Sequence, residues 1–373
     1  MTIKEKIIQN IKKVQALWLK PLTDFAYVKF FAYSLTAIIV SSTVVVFLID
    51  PYIYYHRSIG LRQVYADSTA MIPGVLKHYE YDTVLFGSSM VQNFHIGEMN
   101  KILGCNGVKA TSAGLTAETL AVYFETALKH KGSDLKRCIM GIDFFAFAKG
   151  DQKIHTRYNY LYGDDLFVPE YFYSKNTLDA VLEAIITNIA YPFDKIARHQ
   201  CDCNMMFSSK PRYSFGRKYL ERDVRRLSVY PTPPPADIYQ TFDKLLFKHI
   251  RSNPEIHFDL FLPPYSIYFW CLLEECGQFD DYMKIRLFLA EEVARYPNAR
   301  LHDFQWDGTI TGNFENYKDI THYSGKVNTQ MLESMANGKH QLTLGVPQMK
   351  KRNSLIKEDV RKYKTVYLQL RKK

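Results

Sequence analysis

The chain has 373 residues, of which 47% are hydrophobic and 23% charged, and its formal net charge is +10. This is the balance of an ordinary globular protein; it excludes collagen-like, disordered and small disulfide-stapled classes, and the length predicts two domains or one large domain with insertions. The positive charge lies at the ends, because six lysines face two acidic residues in 1–29 and ten basic residues face two acidic ones in 350–373. Residues 30–349 are left with a net charge of −2, so a nucleic-acid-binding fold is not supported.

An uncharged run of 20 residues occupies positions 30–49. A helix of this length measures about 30 Å, which is the thickness of the hydrocarbon core of a bilayer. We therefore predict a transmembrane signal anchor. A cleavable signal peptide is the alternative, but its apolar region is usually shorter and is followed by a small-residue cleavage site. The lysine-rich flank predicts a cytoplasmic N-terminus and an extracytoplasmic main domain.

Both flanks of this run carry patterns of their own. In the basic segment 1–29 apolar residues recur at helical spacing, which is typical of a cytoplasmic amphipathic helix at the membrane interface or of a solvated basic leader. Residues 50–79 are interpreted as a juxtamembrane linker. The tyrosines that open this linker are interpreted as an interfacial aromatic belt: Tyr52, Tyr54 and Tyr55.

Beyond residue 80, short apolar runs alternate with helical patterns, which is typical of a parallel sheet with crossover helices. The predicted strands are Thr83–Phe86, Val108–Thr111, Cys138–Asp143, His257–Leu262 and Arg300–Phe304. Helical patterns cover about 91–103, 116–130, 236–252, 268–296 and 326–337. Together they predict an α/β domain over 80–340 with a doubly wound, parallel five-stranded, flavodoxin-like sheet. In such sheets ligands bind at the carboxyl ends of the strands.

Two further segments depart from this alternation. Residues 149–235 form an insertion rich in Tyr, Phe and Arg, which fits a lid or substrate-facing subdomain and equally a plain structural elaboration. Residues 341–373 form a basic C-terminal tail with an apolar stripe at helical spacing. Such a tail fits a lipid surface, an anionic polymer or solvent. The pairing of the six cysteines stays open: Cys105, Cys138, Cys201, Cys203, Cys271 and Cys276.

Two short motifs after predicted strands carry candidate chemistry. Gly87-Ser88-Ser89 follows the first strand; the glycine permits a tight turn, and a following helix N-terminus offers backbone N–H groups to a developing oxyanion. A serine there is also a favoured helix N-cap. Far downstream, Asp319 precedes His322 by three residues, a spacing at which a carboxylate orients an imidazole that takes a proton from a serine. A loop cap beside a surface histidine is the plain alternative.

In these blocks the sequence resembles the SGNH (GDSL-like) hydrolase and acyltransferase superfamily, in particular its membrane-anchored bacterial branch with DltD and the alginate O-acetylation proteins. The family's first block, Gly-Asp-Ser, is matched by Gly87-Ser88-Ser89. This match implies that Ser89 is the nucleophile, with Ser88 as its rival. The last block, Asp-x-x-His, implies that Asp319 and His322 complete a catalytic triad.

The middle blocks match less closely. The second block supplies a glycine N–H to the oxyanion hole, and Gly114 after the second strand corresponds to it. The third block reads Gly-x-Asn-Asp in the family but Gly-Ile-Asp-Phe at 141–144 here, so the asparagine is missing. The resemblance therefore implies an oxyanion hole made by the backbone N–H groups of Ser89 and Gly114, with Asn93 as a substitute donor. The role of Asp143 stays open.

The resemblance and the predicted anchor together imply a single-pass protein of the bacterial inner membrane. Its expected activity is the transfer of an acyl group onto a cell-envelope polysaccharide through an acyl-serine intermediate. The expected partners are the lipid bilayer, an envelope glycan or anionic polymer, and a multi-span membrane O-acyltransferase; no nucleic acid, cofactor or metal is expected. Two alternatives remain, a carbohydrate esterase with the same residues and a non-catalytic scaffold whose altered third block marks a decayed site.

Overall fold

The structure is a computed structural model that describes residues 9, 12, 24–57, 59, 61, 63, 64, 68–148, 156–190, 214–228, 231 and 233–372. The chain divides into two compact units, residues 1–48 and 49–373. Helix α1 (Asp24–Ile49) accounts for nearly all of the described part of the first unit. Its stretch Phe25–Ile49 is long and apolar enough to cross a membrane, a property that membrane anchors and signal sequences share. Most of the predicted amphipathic segment 1–29 lies outside the described residues.

The second unit is built around one parallel sheet. Its strands are β1 (Thr83–Gly87), β2 (Gly107–Thr111), β3 (Arg137–Gly141), β4 (His257–Leu262) and β5 (Ala299–Asp303). Their spatial order is β2-β1-β3-β4-β5, and every neighbouring pair is parallel. Most strand residues are buried, as expected for a parallel sheet that is covered on both faces. The predicted five-stranded α/β fold is confirmed.

Helices connect the strands in chain order. Those before β3 are α2 (Ser68–His78), α3 (Ile96–Leu103) and α4 (Ala117–Lys131). Between β3 and β4 come α5 (Phe144–Ala148), α6 (Pro169–Tyr173), α7 (Lys175–Ala190), α8 (Arg217–Arg226), α9 (Ile238–Phe242) and α10 (Lys248–Ser252), the last two joined by a π-helical turn (Asp243–Phe247). The remainder are α11 (Ile267–Glu275), α12 (Phe279–Val293), α13 (Gly308–Thr311), α14 (Gly325–Asn337) and α15 (Gly345–Arg371).

Two groups of helices cover the sheet. Helix α3 packs against α14 and β2, whereas α4 packs against α2, β1 and the π-helical turn. Since α3 follows β1 towards β2, and α4 leads back towards β3, the strand order reverses between β1 and β3. A doubly wound sheet opens a ligand crevice at this reversal, outside the carboxyl ends of the strands.

The described residues of 50–79, which the sequence predicts as a juxtamembrane linker, are part of the second unit. Asp50 is fully buried, and its carboxylate accepts the backbone N–H groups of residues 54–56 at 2.7 to 2.9 Å. The turn closed in this way packs Tyr52 edge-on against Tyr171 of α6. Tyr52 and Tyr54, two of the three tyrosines predicted as an interfacial belt, are consequently buried inside the domain. The turn and the packing of aromatic rings hold them there.

The insertion 149–235 is described over 156–190, 214–228, 231 and 233–235. Its last described helix, α8, packs against α15. The four cysteines in the described part of the chain are free thiols: Cys105, Cys138, Cys271 and Cys276. Cys201 and Cys203 lie outside the described residues, and their pairing stays open.

The basic C-terminal segment also belongs to the domain. Helix α15 packs against α11 and α12, and its apolar stripe, which includes Ile356, Val360 and Tyr367, is buried. The Tyr367 hydroxyl donates a hydrogen bond to Glu275 at 2.6 Å. The stripe that we assigned to lipid, polymer or solvent therefore contacts the domain itself, and the lysines and arginines between its members form the outer face of the helix.

This packing predicts unequal effects for two identical substitutions on α15. Val360 is 2% exposed and Val366 is 45% exposed. We expect Val360→Ala to lower the free energy of unfolding by about 2 kcal/mol, through lost burial and the cavity left behind. Val366→Ala should change it by less than about 0.5 kcal/mol. Urea unfolding of the full-length protein in detergent measures both, and equal losses would show that α15 does not pack as described.

Candidate active site

The first predicted motif forms the turn that follows β1. A Cβ at Gly87 would overlap the side chain of Val91, so only glycine fits this close approach. Ser88 is buried and Ser89 is half-buried, and the Val91 N–H donates to the Ser88 carbonyl at 3.0 Å. Helix α3 begins at Ile96 instead of about residue 91, because hydrogen-bonded turns come first. The backbone N–H groups next to Ser89 therefore belong to a turn and not to a helix N-terminus.

The second motif lies in the loop between a 3-10 turn (Phe314–Asn316) and α14. Tyr317 and Tyr323 pair across this loop as an antiparallel bridge. Inside it, Asp319 Oδ1 accepts the backbone N–H of His322 at 2.7 Å. The carboxylate thus fixes the backbone of the same residue whose imidazole it faces.

Ser89, His322 and Asp319 form one hydrogen-bonded chain, although 233 positions separate the serine from the histidine. Ser89 Oγ lies 2.8 Å from His322 Nε2. His322 Nδ1 lies 2.9 Å from Asp319 Oδ2 and 3.0 Å from Oδ1. With Nδ1–H donating to the carboxylate, Nε2 is the acceptor for the serine proton. The distances are those required of a nucleophile, a general base and its orienting acid.

The charge on Asp319 is favoured by its surroundings. Burial raises its pKa, but the positive potential of His322 and the hydrogen bonds from its ring and backbone outweigh burial and hold the pKa well below the ordinary value. Lys318 adds to this effect, with Nζ 3.5 Å from Asp319 Oδ2. A carboxylate that stays ionised keeps the imidazole oriented and stabilises the imidazolium that forms when the serine loses its proton.

Ser88 belongs to a different hydrogen-bond network. Its hydroxyl donates to Asp143 Oδ2 at 2.8 Å, and the Tyr265 hydroxyl donates to Oδ1 at 2.7 Å. The Phe145 N–H donates to the same Oδ1 at 3.1 Å. The role of Asp143 could not be assigned from the sequence. In the structure it is a buried hydrogen-bond acceptor that joins the end of β3 to the turn after β1. Sequence reasoning missed the part that Tyr265 plays here.

This network predicts a stability difference between two substitutions of Asp143. Asp143→Ala leaves the hydroxyls of Ser88 and Tyr265 without their acceptor in a buried place, and we expect it to cost about 2–3 kcal/mol of unfolding free energy. Asp143→Asn keeps one side-chain oxygen and should cost clearly less. Urea unfolding of the full-length protein in detergent compares them. Similar and small losses for both would mean that the carboxylate does not hold this turn.

The predicted oxyanion donors lie at the same edge of the sheet. Gly114 follows β2 and has φ +68°, a conformation that favours glycine. Because Gly87 pairs with Thr111, the segments that carry Ser89 and Gly114 leave the sheet side by side. Asn93 is buried, and its amide donates to the Tyr323 carbonyl at 3.2 Å. Asn93 thus connects the serine turn to the histidine loop, while donation to an oxyanion stays a prediction.

Helix α8 of the insertion contacts the Asp319–His322 loop, which no sequence signal indicated. Asp223 Oδ2 accepts the Ile320 N–H at 3.1 Å across 97 positions, and the Gly216 N–H donates to the Tyr317 carbonyl at 2.9 Å. Burial raises the pKa of Asp223, and the nearby charge of Asp319 raises it further. In the sequence Asp223 is one acidic residue in a strongly charged helix, so nothing marks it as a neighbour of the triad.

A second Ser-His-Asp chain lies elsewhere in the described structure. Ser334 Oγ is 2.6 Å from His340 Nδ1, and His340 Nε2 is 3.0 Å from Asp307 Oδ2. The three side chains line a polar cavity of about 270 Å³. Ser334, however, is 4% exposed in the last turn of α14, and its Oγ already accepts the His340 N–H at 3.2 Å. This hydrogen-bonded set of three side chains closes the turn after α14, and its serine does not lie in a turn at the end of a strand.

In the residues that the structure describes, no group of three or more His, Cys, Asp or Glu side chains is arranged to hold a metal ion.

No family model matches the chain, and no curated protein matches it. Among solved structures, a proposed platelet activating factor from Streptococcus pneumoniae is similar at 12% sequence identity and a TM-score of 0.35, over 73% of this chain and 90% of that chain. A likeness this remote says nothing about the chemistry of the site.

Proposed function

We propose that the protein is a membrane-anchored serine O-acyltransferase that acts outside the cytoplasm on a cell-envelope polysaccharide. The observation that carries the proposal is the hydrogen-bonded chain from Ser89 Oγ through His322 to Asp319. A serine hydroxyl is a weak nucleophile until a neighbouring base takes its proton, and the base needs a partner that fixes its orientation. Both requirements are met at the edge of the sheet where ligands bind in this architecture.

The proposed reaction has two steps, acylation of Ser89 and transfer of the acyl group to the polysaccharide. Ser89 Oγ attacks the carbonyl carbon of an acyl ester while His322 Nε2 takes its proton, and the backbone N–H groups of Ser89 and Gly114 stabilise the oxyanion. The ester bond breaks, the departing alcohol takes the proton from His322, and acyl-Ser89 remains. A polysaccharide hydroxyl then loses its proton to His322 and attacks acyl-Ser89. The new ester leaves, and Ser89 Oγ regains the proton.

Helix α1 supports the proposed location. Most of its apolar side chains are exposed, as the values of 64% for Phe31 and 66% for Ile38 illustrate, and such a surface suits lipid better than water. The lysines before the helix favour a cytoplasmic N-terminus. A single-span protein of this kind needs a source of acyl groups on its own side of the membrane, and a multi-span membrane O-acyltransferase is the proposed donor.

The first step predicts an acetyl adduct on Ser89. Full-length protein in detergent, incubated with p-nitrophenyl acetate, should gain one acetyl group by intact mass, and peptide mapping should place it on Ser89. Ser89→Ala and His322→Ala should abolish the adduct and lower ester turnover by about 10³-fold or more.

Two serine variants serve as controls for this assignment. Ser334→Ala removes the hydroxyl of the other Ser-His pair and should retain the full adduct at Ser89. Ser88→Ala removes the rival hydroxyl and with it the bond to Asp143 that holds the turn, so its adduct should form more slowly but still map to Ser89. An adduct that persists in Ser89→Ala, or wild-type protein that shows neither adduct nor turnover, contradicts the proposal. The second of these results favours the non-catalytic scaffold.

The second step separates transfer from hydrolysis. Acetyl-Ser89 enzyme given soluble envelope oligosaccharides should yield acetylated oligosaccharide faster than free acetate, with both products quantified by mass spectrometry. The converse experiment supplies acetylated oligosaccharide to the enzyme in water. Loss of acetate there, together with no oligosaccharide acetylation in the first experiment, would identify a carbohydrate esterase instead.

A further inference from the structure

Helix α7 of the insertion exposes its large apolar side chains and buries its small ones. The buried side chains are Thr177, Ala180, Val181 and Ala184. The large aliphatic residues of the helix are 38% to 74% exposed: Leu178, Leu182, Ile186 and Ile189. A surface helix of a protein in water shows the opposite arrangement, with its large apolar residues facing the core. We call these four exposed residues the outer stripe of α7.

The outer stripe forms one continuous apolar surface. With 3.6 residues per turn, its four side chains fall within a sector of about 80° around the helix axis. The acidic residues Asp179 and Glu183 are exposed beside this sector, and Lys175 precedes it at the first turn of the helix. An exposed apolar surface with a polar border is typical of a contact with lipid or with another apolar surface.

The start of α7 lies close to the end of helix α1. Helix α1 ends at Ile49, and the Tyr52 hydroxyl donates a hydrogen bond to the Asn176 carbonyl of α7 at 3.0 Å. Three residues of extended chain reach at most about 11 Å, and the headgroup layer outside the hydrocarbon core is itself about 5–8 Å thick. When α1 spans a bilayer, α7 therefore begins beside the headgroups.

The connection between α1 and the domain has no flexible spacer. Asp50, the first residue after α1, is fully buried, and the Tyr171 hydroxyl of α6 donates a hydrogen bond to its carboxylate. Helix α6 packs against α7. The residue that leaves the span is thus fixed to the pair of helices that carries the outer stripe.

Further exposed apolar side chains precede α6. Leu166 and Phe167 are both exposed, and the Phe167 ring stacks on Phe172 at 5.2 Å between ring centres. Phe172 in turn stacks on Tyr55 at 5.6 Å. Aromatic and aliphatic side chains together are common at the boundary between headgroups and acyl chains.

We propose that the outer stripe of α7 lies in the interface of the lipid bilayer, which is the partner that covers it. The inference rests on the proposed function, whose membrane-anchored location it extends. Another protein chain need not lie at a fixed distance from the end of α1, whereas lipid surrounds that end in every copy of an anchored protein. The domain is then attached at two places, α1 and α7, and this restricts its rotation about the anchor.

The test is photocrosslinking of the full-length protein in nanodiscs of phosphatidylcholine, because an apolar contact flanked by Asp179 and Glu183 needs no anionic lipid. The crosslinker p-benzoylphenylalanine is introduced at one position at a time, and lipid adducts are detected by intact mass after irradiation. We expect adducts at the positions of Leu182 and Ile186. A crosslinker at Ile38 in α1 is the positive control for the span.

Leu344 provides the matched negative control. It is 72% exposed, and it lies near β5, since the Leu342 N–H donates to the Leu301 carbonyl at 2.7 Å. The segment after α1 instead contacts α2 through Tyr54 and His78, and α2 packs on β2 at the opposite edge of the sheet. We expect no lipid adduct at the position of Leu344.

A charge in the outer stripe should remove it from the apolar layer. Leu182→Glu together with Ile186→Glu should lower the yield of lipid adduct from a crosslinker at Ile189 by about tenfold or more, because a carboxylate is costly to place among acyl chains. Leu344→Glu, the same kind of change at the other exposed leucine, should leave that yield unchanged.

Three results overturn the inference while the anchor stands: adducts at Ile38 with none on α7, equal adducts at Leu344 and Leu182, or α7 adducts to a second copy of the chain in place of lipid. No lipid adduct at Ile38 contradicts the membrane-anchored location itself and overturns the inference with it. Acetylation of Ser89, measured in the same preparation, tests the proposed chemistry separately, so these failures are distinguishable.

Discussion

The hydrogen bond from Ser88 to Asp143 joins the ends of β1 and β3, the two strands between which the sheet order reverses. The rest of the candidate site depends on this bond, because it holds the turn that presents Ser89. Gly87 allows the backbone to pass close to Val91, and Ser88 then turns inward towards the buried carboxylate. Ser89, one residue on, is left to face His322. The two adjacent serines thus differ in role, and the buried Ser88 positions the one that faces His322.

The fold could be predicted from the sequence because parallel strands covered on both faces appear as short apolar runs between helical patterns. The pattern indicates which residues are buried and at what spacing, but it does not indicate which other element they pack against. The apolar stripe of α15 has the same spacing whether it faces lipid or the domain, and only its packing against α8, α11 and α12 shows that it faces the domain. Tyr52 similarly is of a residue type that is common at membrane interfaces. Asp50, however, closes a turn that packs the Tyr52 ring against Tyr171.

The candidate site likewise has residues that could be predicted from the sequence and residues that could not. Ser89, Asp319 and His322 follow strands in short motifs, so their juxtaposition could be expected from the common edge of a parallel sheet. Asp223 and Tyr265 reach the site across 97 and 122 positions, and neither lies in a motif. Contacts of that kind depend on how an insertion and a loop pack, which local sequence does not encode.

The loop that carries Asp319 and His322 is held from two sides. On the serine side the amide of Asn93 donates to the Tyr323 carbonyl, and on the other side Asp223 accepts the Ile320 N–H. The second contact comes from helix α8 of the insertion. The position of the His322 loop therefore depends on one short helix outside the sheet, a support that the five strands and their crossover helices do not supply.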